Sequence, residues 1–160
     1  MAVNGERYDM VTGEVDQISR RLEVPWPNSA PYHEITAVVV AWNEEPRVGP
    51  LLSFLSDWFT HLNVAVQEST DKTLEIAKSI VKRKSDKLLE HPHYGHGDAS
   101  FPELIKAVET DWAFVVSCDE WPDLDLMKGL ESATNYATRF GYDGIWVYFR
   151  SFTEGVEWEV

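Results

Sequence analysis

The chain has 160 residues, of which 44% are hydrophobic, a length and composition typical of one domain with a buried core. Its 14 lysines and arginines stand against 27 acidic residues, and the formal net charge of −13 argues against binding to nucleic acid or to an anionic membrane. The lone cysteine, Cys118, excludes an internal disulfide, and because no apolar run suggests a signal peptide or a transmembrane segment, we expect a cytoplasmic protein.

The first part of the chain is rich in proline. Pro25, Pro27 and Pro31 interrupt residues 1–34, which show no sustained hydrophobic periodicity. Proline and the residue before it disfavour a helix, so we predict an extended N-terminal arm over residues 1–34. An alternation of strand and helix patterns then predicts a single α/β domain over residues 35–160.

Continuous β-branched runs and three- to four-residue apolar spacings alternate after the arm. The predicted elements are strand 35–41, helix 48–59, strand 63–67, a helix capped by Thr70 or Asp71 and ending near Val81, strand 87–90, a helix opened by the capping-box sequence 100–103 and ending at Val108, a buried strand 112–116, a helix from about Asp123 to Tyr136, and strand 144–150. This order requires right-handed crossovers and predicts a mostly parallel sheet flanked by helices, an α/β fold.

Polar residues follow three of the predicted strands, at the carboxyl edge where open α/β sheets bind their ligands. Paired acids at such an edge commonly hold a hard divalent cation against a phosphate, which would let an acidic chain bind a diphosphate. An indole at the same edge offers a flat face for a nucleobase. The residues concerned are Trp42, Asn43 and Glu44 after the first strand, Glu68, Ser69 and Asp71 after the second, and Asp119 and Glu120 after strand 112–116.

Three segments in this order resemble the family-2 glycosyltransferases of GT-A fold. They are Ala-Trp-Asn-Glu-Glu at 41–45, Ser-Thr-Asp-Lys-Thr at 69–73 and Ser-Cys-Asp-Glu at 117–120, which match the family's A-x-N-E-E, D-D-G-S-T-D-G-T and D-A-D-E sequences. The resemblance spans about residues 35–149. It implies that residues 35–160 form a Rossmann-like GT-A domain that binds a nucleoside-diphosphate sugar, commonly a uridine nucleotide, with Mn²⁺ or Mg²⁺. It also implies inverting transfer of the sugar to a sugar, lipid or protein acceptor.

The resemblance assigns site residues by their position in these motifs and in the segment after the third strand, which passes beside the donor diphosphate. Glu68, at the place of a family glycine, or its neighbour Gln67 would replace a missing acid that contacts the base. Donor binding is assigned to Ala41, Trp42, Asn43, Glu44, Glu68, Ser69, Asp71, His96 and Asp98, and metal binding to Asp119 and Glu120.

The chain departs from the family pattern in its acids and in its length. Ser117 stands in place of the first aspartate of D-x-D, and Val66 and Gln67 in place of the two acids of the second turn, so that Gln67 or Glu68 would contact the base. The family places the acceptor site and the catalytic base after strand 144–150, and no residue of this chain is identified as that base. The chain is therefore interpreted as the donor-binding half of a larger enzyme, or as one whose remaining part a partner supplies. The alternative function is a non-catalytic or degenerate nucleotide-sugar-binding module.

Two further alternatives come from other features of the sequence. His91, His93, His96 and Asp98 lie within eight residues, and three histidines with an acid could form a zinc site of a hydrolase. Their spacing matches no zinc signature. The acidic surface could instead make the chain a scaffold for a basic partner.

Overall fold

The computed structural model describes residues 31–147, 150–153 and 156–159. The chain divides into two compact units, one that ends at Met127 and one that includes the residues from Lys128 onward. The predicted arm lies outside the described residues except for its last four positions, 31–34. The first strand takes up three of these positions, because it begins at Tyr32 rather than at Ile35.

Strands and helices alternate as the sequence predicts. In chain order the elements are β1 (Tyr32–Ala41), α1 (Glu45–Trp58), β2 (Phe59–Gln67), α2 (Thr73–Ile80), β3 (Lys87–His91), a 3₁₀ turn (Gly97–Ser100), α3 (Phe101–Lys106), β4 (Trp112–Ser117), α4 (Leu124–Phe140), β5 (Arg150–Thr153) and β6 (Val156–Glu159). Among the described helices, none has both the length and the apolar character that a membrane span requires.

Strands β1 to β4 form one sheet in the order β3-β2-β1-β4, and all neighbouring pairs are parallel. Val39 at the centre of β1 lies opposite Val64 of β2 and Val116 of β4. The β-branched run of β1 is fully buried, as expected for a central strand covered on both faces. The predicted α/β fold with a mostly parallel sheet is thereby confirmed.

The helices cover the sheet through short apolar side chains. On α1, the buried residues Val48, Leu51, Leu52 and Leu55 recur at helical spacing, as predicted. The helix stops one residue earlier than expected, since Phe59 already belongs to β2, where its ring stacks on that of Phe114 with centroids 5.5 Å apart. Leu104 of α3 packs in a separate cluster with Val38, Val40 and Ala65.

Strand β4 is less buried than its sequence predicts. Phe114 and Val116 are buried, but Ala113 and Val115 are exposed, the latter by 46% of its surface. The reason is position, because β4 is an outer strand of the four-stranded sheet and Leu104 packs over residues of β1 and β2 instead. Alternation between buried and exposed side chains is what such a half-covered strand shows.

The predicted capping box at residues 100–103 is wrong. The Ser100 side chain makes no capping bond to α3; it is buried and bonds to Gln67 and His91. The helix also ends at Lys106 rather than at Val108. A hydroxyl that is already engaged by two buried polar partners is not available to cap a helix.

The predicted strand 144–150 is also wrong for the residues that the structure describes there. Residues 144–147 have no strand structure, and the Trp146 side chain is 87% exposed. Aromatic residues favour strands because they pack against neighbouring side chains there, and this aromatic run has no such surface to pack against. Arg150 instead opens β5, which pairs antiparallel with β6 as a hairpin. Residues 148 and 149 lie outside the described residues.

Candidate ligand-binding edge

The carboxyl ends of the parallel strands lie at Ala41, Gln67, His91 and Ser117. Because the strands are parallel and adjacent, the segments that follow them, 42–44, 68–72, 92–98 and 118–121, leave the sheet at the same side. These four segments are called the carboxyl edge below. The edge contains or adjoins every residue that the sequence assigns to a donor or a metal.

The turns after β1 and β2 are joined by side chain–backbone hydrogen bonds. Asn43 Oδ1 accepts a hydrogen bond from Thr70 N at 2.8 Å, and Asn43 N donates to Ser69 Oγ at 3.1 Å. Glu44 N donates to Thr73 Oγ1 at 2.7 Å. Asn43 has a φ of 52°, in the left-handed region that asparagine tolerates better than most residues. Asn43 and Ser69 therefore fix the two turns against each other.

Asp71 ties the starts of two helices together. Its Oδ2 accepts from Glu45 N at 3.0 Å, at the start of α1, and its Oδ1 accepts from Thr73 N at 3.0 Å and from the Thr73 hydroxyl. The hydroxyl bond is the main cause that lowers the pKa of Asp71, and the backbone bonds add to it. The prediction that Thr70 or Asp71 caps this helix is wrong as to the residue, because Lys72 directly precedes α2 and makes no side-chain capping bond, although Asp71 does bond to the N–H of Thr73, the first residue of α2.

Trp42 is an exposed aromatic residue of the edge, as are Tyr94 and Trp121. Its Nε1 donates to Glu68 O at 3.1 Å, and its ring stacks on His93 with centroids 4.0 Å apart and planes inclined by 14°. The side chain is still 45% exposed, which leaves surface for a ligand. Ala41 before it is buried, so that its side chain belongs to the core.

Gln67 is buried, with only 1% of its surface exposed, and both polar atoms of its side chain are hydrogen-bonded. Its Nε2 donates to His96 O at 2.9 Å and to Ser100 Oγ at 3.1 Å, and its Oε1 lies 3.1 Å from His93 Nδ1. This side chain tethers segment 92–98 to β2. Gln67 is therefore not available to contact a base, and of Gln67 and Glu68 only the exposed Glu68 remains a candidate for that contact.

The histidines of residues 91–98 point to different partners. His91 Nδ1 lies 2.9 Å from Ser100 Oγ, while its buried Nε2 lies 3.0 Å from Glu103 Oε2, at ion-pair distance but without hydrogen-bond geometry. His96 gives its carbonyl oxygen to Gln67, and Asp98 is an exposed residue of the 3₁₀ turn. Within the described ranges, no three His, Cys, Asp or Glu side chains are grouped to hold a metal, so nothing supports the zinc alternative.

The turn after β4 presents one exposed carboxylate. Glu120 N donates to Ser117 O at 3.1 Å, and Glu120 Oε2 accepts from Ser117 N at 2.8 Å, so that Glu120 closes its own turn. Asp119 is exposed at the top of this turn. The structure thus separates the two predicted metal ligands, with Asp119 facing outward and Glu120 engaged by the backbone.

Opposite charges gather where the ends of β1 and β4 meet. Arg47 donates through one guanidinium nitrogen to Glu44 Oε2 at 2.9 Å, and this bond, with a smaller effect from Asp119, raises the pKa of Arg47. Burial, with smaller effects from the carboxylates of Glu44 and Asp119, raises the pKa of the Cys118 thiol to about 12. Cys118 is therefore a neutral packing residue.

Arg47 is the residue that motif comparison misses. It lies in the first turn of α1 and outside the three matched segments, and an exposed cation beside a candidate diphosphate site is the kind of group that binds phosphate. The sequence feature that could have indicated Arg47 is a cation four residues after Asn43 in a strongly acidic chain.

A cavity of about 380 Å³ opens at the carboxyl ends of β2 and β3. Val66, Leu74 and Pro92 give it apolar walls, and Glu68 and Glu90 add carboxylates. Its volume lies within the range of about 300–1,000 Å³ that is usual for small-molecule sites.

The donor set of the edge is compatible with the divalent cation that the sequence resemblance implies. Magnesium is commonly held by one or two carboxylates together with substrate phosphates and water. Asp119 can supply one such carboxylate, and Glu120 has a second oxygen besides the one bonded to Ser117 N. Because Ser117 stands where the resembling family has the first aspartate of D-x-D, the protein would offer the cation one carboxylate fewer.

Comparison with known proteins relates the chain to glycosyltransferases at the level of fold. No protein-family model matches the sequence, and no curated protein matches it. A crystal structure of TarS from S. aureus, a glycosyltransferase, is similar with a TM-score of 0.56 and 19% identity over 71% of this chain and 23% of that chain. A crystal structure of S. aureus TarS 1-349 is similar with a TM-score of 0.57 and 20% identity over 76% of this chain and 40% of that chain.

The chain has a glycosyltransferase-like α/β fold. It spans less than half the length of either solved chain that it matches. The likeness confirms the fold, while membership of family 2 and the assignment of single residues to donor and metal stay predictions.

Proposed function

We propose that the chain binds a nucleoside-diphosphate sugar at its carboxyl edge with Mn²⁺ or Mg²⁺, as the donor-binding part of an inverting glycosyltransferase of family 2. A uridine nucleotide is the proposed donor, and a sugar, lipid or protein the acceptor. The observation that carries this proposal is the placement of the exposed Asp119 at the same sheet edge as the exposed Trp42 and the cavity beside β2. A diphosphate at that edge would connect an aromatic base site to a metal site.

The base end of the site rests on Trp42 and the cavity. The indole is held in place by its bond to Glu68 O, so that little side-chain freedom is lost when a base stacks on it. The Glu68 carboxylate lies beside the cavity, where it can accept a hydrogen bond from a polar group of the nucleoside.

The diphosphate end rests on Asp119 and Arg47. Asp119 would hold the divalent cation, which when bound neutralises the charge that develops on the leaving diphosphate. The Arg47 guanidinium, now paired with Glu44, is long and exposed enough to donate to a phosphate oxygen beside the cation. Asn43, Ser69 and Asp71 would contribute by holding the turns that carry these groups.

A non-catalytic nucleotide-sugar-binding module is the second candidate. It is favoured by Ser117, which stands where the family's D-x-D sequence has its first aspartate and leaves the proposed metal site with one carboxylate fewer. Inverting transfer needs a carboxylate within hydrogen-bond reach of the acceptor hydroxyl. A donor-hydrolysis assay separates the candidates, since the module binds the donor without releasing sugar and the enzyme turns it over.

Calorimetric titration with uridine diphosphate and Mn²⁺ tests the proposal. We expect the wild type to bind and Asp119→Ala to lose roughly tenfold or more in metal-dependent affinity, because the cation loses its protein carboxylate. The matched control is Asp111→Ala, which removes an exposed carboxylate just before β4, at the opposite end of that strand. Equal affinity in Asp119→Ala and wild type would refute the assignment of the metal site.

A further inference from the structure

Gln67 sets the hydrogen-bonding state of His93. The Nε2 atom of Gln67 faces two carbonyl oxygens, His96 O at 2.9 Å and Gly97 O at 3.5 Å, which accept hydrogen bonds and cannot donate them. This fixes the orientation of the amide and makes its Oε1 an acceptor toward His93 Nδ1. His93 therefore carries its hydrogen on Nδ1, and in the neutral ring Nε2 is a hydrogen-bond acceptor.

The imidazole is held in a fixed plane at the carboxyl edge. Its Nδ1 is anchored to Gln67, and its ring stacks on Trp42, whose own Nε1 is anchored to Glu68 O. Two consecutive residues at the end of β2 thus position both rings, with planes only 14° apart. Gln67 itself is buried and cannot shift without breaking its bonds to segment 92–98.

We propose that His93 binds the nucleobase of the donor, with Nε2 accepting a hydrogen bond from a ring N–H while the base stacks on Trp42. This inference rests on the proposed function and adds a residue that the sequence motifs leave unassigned. The lone pair of Nε2 lies in the plane of the imidazole, which is nearly parallel to the indole. A base that stacks on the same face of the indole as His93, beside the imidazole, lies in that plane and presents its edge to Nε2, whereas ribose hydroxyls project out of it.

The inference gives a chemical selectivity. A base with a ring N–H donor, such as the imide of uracil, satisfies Nε2, and a base methylated at that nitrogen does not. An acceptor that the bound base covers but leaves without a donor weakens binding, and one hydrogen bond of this kind corresponds to roughly a tenfold change in affinity. A phenylalanine at position 93 would keep the stack on Trp42 and lose the acceptor.

The test is a calorimetric comparison of three probes, each with Mn²⁺: uridine diphosphate, its N3-methyl derivative and its 2′-deoxy derivative. We expect wild type to bind uridine diphosphate about tenfold more tightly than the N3-methyl compound and about equally to the 2′-deoxy compound. His93→Phe should bind uridine diphosphate about tenfold more weakly and no longer distinguish it from the N3-methyl compound. His33→Phe, at an exposed position near the start of β1, is the matched control and should behave as wild type.

The possible outcomes separate this inference from the proposed function. If wild type and His93→Phe bind uridine diphosphate equally, the function stands and the role of His93 is overturned. If His93→Phe loses discrimination against the 2′-deoxy compound instead, the partner is a ribose hydroxyl and the base assignment is overturned. If His93→Phe fails to fold, equal wild-type affinity for the N3-methyl compound still overturns the inference. If wild type binds none of the probes, the proposed function fails and this inference with it.

Discussion

The turns after β1 and β2 are cross-linked because side-chain oxygens of Asn43, Ser69 and Asp71 accept hydrogen bonds from backbone N–H groups across the two turns. The turn after β4, by contrast, holds the exposed carboxylate of Asp119. Both regions contain residues of the sequence motifs that resemble those of family-2 glycosyltransferases. In the first region the polar atoms are used to fix the backbone. In the second, the backbone is closed by Glu120 and the aspartate is left to the solvent.

This difference shows that a match to a binding motif does not make each of its residues a ligand contact. Side chains whose polar atoms already bond to the protein would have to give up those bonds to reach a ligand, at a cost comparable to the gain. The groups best placed to bind are the exposed ones held by that framework, namely Trp42, His93, Arg47 and Asp119.

The largest effect on the framework is expected at Gln67. Gln67→Leu removes the partners of His93 Nδ1 and His96 O, and we expect the free energy of unfolding to fall by about 2–3 kcal/mol because buried polar groups lose their hydrogen bonds. Urea denaturation measures this loss. Glu68→Ala, the next residue and exposed, should stay within about 0.5 kcal/mol of wild type. A Gln67→Leu protein as stable as Glu68→Ala would show that the tether does not stabilise the edge.

A smaller effect, on binding rather than on stability, is expected at Arg47. Arg47→Ala should weaken binding of uridine diphosphate with Mn²⁺ by roughly tenfold through loss of a charge-assisted hydrogen bond to phosphate. Binding of uridine, which has no phosphate, should not change. Calorimetry on both ligands measures the split, with Lys106→Ala on α3 as the control for net charge. If uridine binding weakens as much as diphosphate binding, Arg47 belongs to the framework and not to the ligand site.

The smallest expected effect is the pH dependence due to Asp71. Its pKa is lower in the folded protein than the ordinary value of 3.8, so its stabilising contribution is fully present above that pH and is lost as the pH falls through the folded value. Asp71→Asn should therefore be less stable than wild type at neutral pH, and the difference should shrink in acid. Urea midpoints across this range measure it, with Asp57→Asn on α1 as the control. A difference that is independent of pH would contradict a role for the charged carboxylate.

Much of the fold could be predicted from the sequence because its signals are local. The β-branched run of β1 and the apolar spacing of α1 specify their elements without reference to the rest of the chain, and their alternation specifies parallel strands. The position of Asp119 at the end of β4 follows from the same reasoning. These are the parts that the structure confirms.

The parts that were wrong or missed depend on contacts between distant residues. The capping box at Ser100 looks correct locally, but Gln67 reaches the hydroxyl from 33 residues away. Residues 144–147 have strand-forming side chains, yet Trp146 finds no cover. Arg47 near Asp119 and His93 on Trp42 likewise exist only after β1, β3 and β4 are assembled.

The central claim is that Asp119 holds a cation against a diphosphate at the carboxyl edge. Crystals soaked with uridine diphosphate and Mn²⁺ test it directly, because manganese can be located by its anomalous scattering. We predict a manganese peak at the Asp119 carboxylate, with the pyrophosphate beside it and the base at Trp42. A nucleotide bound at another face, or a manganese peak away from Asp119, would contradict the account.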